Sequence, residues 1–130
     1  MVTPALASLS SQLLDLAVNG DPTTVARALT TLHSLVAFDL LPPEDRSGVV
    51  AVARERLCDV PTPEVWLAAV ELALATGDAD LRAMVAAIGA GEAQPTLPRS
   101  VDLHLFVRGA ARRALHQSAD WTRVAGSVAE

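Results

Sequence analysis

Every proline in this chain stands where a helix can begin or in a connection between segments, and none interrupts a run of apolar residues at helical spacing. Proline fixes φ and lacks an N–H, so it suits the first turn of a helix and breaks the interior of one. Its placement therefore divides the sequence into short helices before any other signal is weighed. Thr3-Pro4 opens the first, with Leu6, Leu9, Leu13 and Leu16 at helical spacing and a stop at Asn19-Gly20. Asp21-Pro22 opens the second. Its apolar face is Val25, Ala28, Leu29, Leu32, Leu35 and Val36, with Thr23, Arg27, Thr30 and Ser34 opposite. Leu41-Pro42-Pro43 makes a break, and a third helix is expected from about Pro43 to Cys58, burying Val49, Val50, Ala53 and Leu57.

Thr62-Pro63 opens a fourth helix containing VWLAAVELALA, apolar around most of its circumference, with a narrow seam of Glu64, Ala68, Glu71 and Ala75. Such a helix needs neighbours on several sides, so it is expected at the centre of the fold, with Trp66 in the core. Gly77 closes it. Asp78 caps a fifth helix that turns Leu81, Met84, Val85 and Ile88 inward, and Gly89 and Gly91 read as its stop signals. The irregular stretch GAGEAQPTLPRS leads to a sixth helix from about Val101 to His116, and a seventh starts at Asp120 with Trp121, Val124, Ala125 and Val128. Strict apolar–polar alternation never persists, and the many alanines and leucines favour close helix packing over a sheet. The expectation is one all-α domain over residues 1–130 with about seven helices, either a short solenoid of stacked helices or an irregular bundle.

The starts at Asp21-Pro22 and Thr62-Pro63 are 41 residues apart, and each begins a helix–turn–helix unit. Together with DADLRAMVAAIG at 78–89, where Leu81-Arg82 holds an aliphatic-Arg place, this resembles the HEAT and armadillo-like helical repeats over about residues 21–116. The unit at Asp21 departs from that pattern, carrying Ala26 where an arginine is usual. The resemblance implies a scaffold that binds other proteins through a helix-lined surface.

Cys58 is the single cysteine, so no intrachain disulfide forms, and it reads as a small filler on the rim of an apolar face. The N-terminus has no basic region of a signal peptide, and no run is long and apolar enough to span a membrane, so a cytoplasmic setting is expected. All ten basic residues are arginines. The charge is uneven: residues 1–98 carry −7, residues 99–130 carry +2, and the chain −5. In the sixth helix His104, Arg108, Arg112 and His116 recur every four residues, with Arg113 on the flank and Leu103, Phe106, Val107, Ala110 and Ala114 on the side expected to be buried. That stripe should face outward. It is a solvated face or a contact surface for an acidic partner, and the acidic part of a second copy would supply one.

These features favour a non-catalytic protein-interaction module. Arg108, Arg112, Arg113 and His104 are the candidate charged contacts; the short helix carrying Trp121 reads as a lid packed on the core, or else as a segment whose Trp121 is an apolar anchor for a partner. Nucleic-acid binding through the same helix is the alternative, disfavoured by the negative charge and the absence of stacking aromatics from the stripe. An enzyme whose site is assembled from distant residues is the third reading. Ser100, Asp102 and His104 contain the residue types of a hydrolytic triad, but at a helix start they read as caps. Glu64 and Glu71 read as solubilising or arginine-paired. No metal-ligand spacing occurs among the histidines and Cys58, and no cofactor is expected.

Overall fold

The computed structural model describes residues 4–60, 62–93, 95 and 105–117. They form α1 (Pro4–Asn19), α2 (Pro22–Ala37), a 3₁₀ turn (Pro43–Asp45) running directly into α3 (Arg46–Leu57), α4 (Pro63–Ala75) and α5 (Ala79–Ala90). A further helix, α6, covers residues 105–117. No β-strand occurs among the described residues, and the fold is all-α. The expected seventh helix with Trp121 lies outside the described residues, as do Thr3, Ser100, Asp102, Leu103 and His104 and the side chain of Leu6.

The cap–proline starts behave as elementary chemistry requires. Asp21 accepts the N–H of Thr24 at 2.8 Å and Thr62 that of Val65 at 3.2 Å, each satisfying a donor the helix itself leaves free. Asp78 does the same for Leu81 at 3.0 Å. At Asp21 this bond, helped by the Thr24 hydroxyl, holds the carboxyl below its usual range. Gly91, at φ +79°, ends α5 in the left-handed conformation that costs glycine least.

Packing arranges the helices in two layers. α1 packs on α2 and α3 on α4 as antiparallel neighbours, while α1 also touches α3, α3 touches α5, and α2 lies along α4 in the most extensive contact of all. Odd-numbered helices thus follow one another in one layer and even-numbered helices in the other. The 41-residue spacing relates α2 to α4, equivalent helices in successive hairpins. The packed hairpins themselves begin one helix earlier than Asp21, at α1 and α3.

The core runs through α2, α3 and α4 and includes Leu29, Leu32, Val49, Leu57, Val65, Trp66, Leu72 and Leu81. Trp66 is fully buried and donates its indole N–H to the Leu57 carbonyl at 3.3 Å, fastening α4 to the end of α3. Several faces are rotated from the expectation. In α1 the buried positions are Ser10, Leu13 and Ala17; of the leucine ladder Leu13 is buried but Leu9 and Leu16 are exposed, and the Ser10 hydroxyl bonds the Asp45 carboxylate at 2.9 Å. In α3 Val52 is buried and Val50 only half-buried, and in α5 Met84 is half-buried. In α4 Ala68 is buried and Leu67 takes its place on the exposed seam with Glu64 and Glu71. Cys58 is exposed, its thiol turned to the Arg54 carbonyl, and fills no core space.

Arginine ties neighbouring helices together, within a layer and across it. The Arg56 guanidinium on α3 donates to the carbonyls of Ala17 and Val18 at the end of α1, at 2.7 to 2.9 Å. Arg46 donates to the Thr76 carbonyl at the end of α4, 2.8 Å away. The last carbonyls of a helix have no partner within it and carry about half a negative charge together, so a guanidinium from a neighbouring helix satisfies them twice over.

Candidate functional site

The position of α6 follows from one close approach. Gly89, buried inside α5 and not a stop signal, faces α6: a Cβ there would stand 3.2 Å from Arg112 Cγ and 3.6 Å from Ala111 Cβ. Only a small side chain on α6 fits against that surface, and Ala111 with Val107 supplies it, both buried. Ala110, Ala114 and Leu115 are half-buried beside them. Phe106, expected in the core, is about one-third exposed instead, because a phenyl ring has no room where α5 and α6 nearly touch.

This rotation separates the predicted arginines. Arg112 turns to α5 and its Nε–H donates to the Gly89 carbonyl at 2.6 Å. The Arg108 guanidinium stands beside Gly91, where a Cβ would come within 3.0 Å of its Cζ and Nη2. Arg112 therefore caps the carboxyl end of α5 in the manner of Arg56 on α1 and Arg46 on α4, with Arg108 beside it. Arg112, Arg113 and His116 are all exposed overall, and Arg113 lines a groove on the other side. His104 and Trp121 lie outside the described residues. The cationic stripe is thus divided: part of it serves the helix stack, and Arg113 serves the surface.

The groove encloses about 1050 Å³ between the even-numbered helices. Its floor is apolar, built by Val70 and Leu74 of α4 and Ala110 and Ala114 of α6. Phe38 and Ala37, at the end of α2, form one wall, and Leu105 and Phe106 of α6 another, with Leu67 between. Phe38 is 75% exposed and Leu105 63%. Both phenylalanines of the chain therefore stand on this one surface. Phe38 is held outward by the end of α2: Asp39 takes the left-handed conformation at φ 57°, its N–H bonds the Val36 carbonyl, and the Leu40 N–H reaches back to Leu35. Polar groups stand on three sides, His33 from α2, Glu71 from α4, and Arg113 with Gln117 from α6.

A shallower depression of about 920 Å³ lies beside Arg46 and Arg54, but Arg46 is committed to the Thr76 carbonyl and Arg54 stands 3.9 Å from Asp80. Among the described residues no cluster of histidine, cysteine and carboxylate side chains has the arrangement to hold a metal ion. None of their helices is long and apolar enough to cross a membrane.

Sequence reasoning missed Phe38, Leu67 and Phe106 as surface residues. The signal was the scarcity of aromatics: with so few in the chain, one next to a helix stop was better placed for contact than for core. No family model, curated protein or solved structure matches this chain.

Proposed function

We propose that the protein is a non-catalytic interaction module of helical-repeat type, and that the groove between α2, α4 and α6 receives an amphipathic helix of a protein partner. The observation that carries this reading is the convergence of Phe38, Phe106, Leu67 and Leu105 on one concave, apolar-floored surface. Exposed apolar side chains scattered singly need no explanation, but a contiguous rimmed patch of them is how helix-binding grooves are made. Aromatic walls supply most of the contact area, and buried aromatics are the commonest energetic anchors of interfaces. His33, Glu71 and Arg113 stand where they would fix the register and polarity of the docked helix. The alternating two-layer arrangement supports the HEAT-like reading, in which equivalent helices of successive hairpins line a shared surface. A cytoplasmic setting and capture of a second copy of the chain belong to the same proposal. Arg112, whose Nε–H is engaged at the end of α5, and Arg108 beside it are expected to contribute less to binding than Arg113.

The test compares affinity capture by the wild-type chain with capture by Phe38→Ser and Leu105→Ser. Both side chains are largely exposed, so circular dichroism and Tm should hold while capture falls at least tenfold, a loss of about 1.4 kcal/mol or more. A matching change on the opposite layer, Arg82→Ala, should leave capture intact. Equal capture by all of them would remove the groove as the binding surface.

A further inference from the structure

We propose that the groove selects a helix whose apolar face is flanked by a carboxylate on one side and a cation on the other, and that Arg113 and Glu71 read those two flanks. The inference rests on the groove being a helix-docking surface, and adds the chemistry of its partner.

The two charges reach the groove from different helices, Glu71 from α4 and Arg113 from α6, each beside its own share of the apolar floor. Both residues are exposed, and among the described residues neither has an ion-pair or hydrogen-bond partner for its side chain. That sets Arg113 apart from the arginines that serve the fold. Arg46, Arg56 and Arg112 donate to carbonyls at helix ends, and Arg54 stands beside Asp80. A guanidinium left open at the edge of an apolar surface is the side chain best shaped for a partner carboxylate, which it can hold with two parallel hydrogen bonds. Ionised Glu71 only accepts, so it suits a lysine or arginine. His33 of α2 and Gln117 of α6 complete the rim with hydrogen-bonding groups.

An apolar trough alone accepts an amphipathic helix in either direction. Turning such a helix end for end, with its apolar face still down, exchanges its left and right flanks. Opposite charges on the two banks therefore favour one direction. They also penalise a helix whose flanks share a sign, because one flank then meets a like charge.

The test uses the full chain and three synthetic helical peptides with Leu and Phe at i, i+3, i+4 and i+7. The peptides differ only in their flanks: both Glu, both Lys, or one of each. Anisotropy titrations at low salt should rank the mixed peptide first, by about fivefold for a mismatched flank, the upper range for an exposed ion pair. Arg113→Glu should turn the preference to the Lys-flanked peptide, and Glu71→Arg to the Glu-flanked one. The double variant should return it to the mixed peptide, because the helix can dock end for end. Both positions are exposed, so the helical spectrum and Tm should hold in every variant. Equal affinity for the three peptides, or a ranking that the charge reversals leave unchanged, overturns the inference while leaving the groove as a docking surface. Binding of none of them, or binding that Phe38→Ser does not weaken, removes the docking surface itself and the inference with it.

Discussion

Arg112 and Arg113 are adjacent in sequence, equal in charge, and assigned opposite duties by the fold. Replacing Arg112 with Ala removes the 2.6 Å bond to the Gly89 carbonyl and the stem lying over that glycine. A hydrogen bond from a charged donor contributes about 1.5–3 kcal/mol, reduced here because the side chain is partly hydrated. A cation at a helix carboxyl end adds about 0.3–1 kcal/mol. The expected net loss is about 2 kcal/mol. Unfolding entropy of about 2.1 cal/mol/K per residue, taken over the chain, makes this a fall in Tm of about 7 °C. Arg113→Ala loses only a solvated side chain and should stay within about 0.5 kcal/mol of wild type. Arg112→Lys, which keeps the charge but not the planar fork, should fall between the two. Urea and thermal unfolding followed by circular dichroism give these differences directly. Equal stability of the Arg112→Ala and Arg113→Ala chains would refute the division of the stripe.

Arg56→Ala should be the more damaging arginine change, because it strips three hydrogen bonds from the end of α1; a loss of about 3 kcal/mol is expected in urea unfolding, and one below about 1 kcal/mol would contradict it. Gly89→Val should drive α5 and α6 apart, destabilising by about 1–3 kcal/mol and raising hydrogen exchange in α6 first. The depressed Asp21 carboxyl sets a pH test: the cap contributes at neutral pH, above the unfolded-state value, and its contribution is lost as pH falls through the lower folded value. Asp21→Asn keeps an oxygen acceptor but cannot titrate, so the stability gap between the two chains should change across acid pH and be flat above it.

The helix boundaries were legible because their chemistry is local. Asp21, Thr62 and Asp78 with their neighbouring prolines or alanine need only three residues to form a cap, and three residues are what a reader can see. The centrality of α4 was legible too, since its apolar circumference leaves it no wet side. Which face of a mixed helix turns inward was harder. In α1 the leucines and in α6 Phe106 point to one face by hydrophobicity alone, yet the neighbour decides: Asp45 draws Ser10 inward, and Gly89 admits only Ala111. The groove was invisible for the same reason, because Phe38, Leu67 and Phe106 come from helices whose adjacency no spacing announces. The Asp39 turn that projects Phe38 carries no glycine to betray it.

The two-layer order also bears on how the molecule comes apart. Where each helix leans only on those beside it in the array, unravelling can proceed from a terminal helix inward without dissolving the middle. α4, gripped by α2, α3 and α5, should exchange its amide protons slowest, and α6, secured by Val107, Ala111 and borrowed guanidinium contacts, among the earliest. Since α6 is one bank of the groove, that surface should vanish well before the protein unfolds.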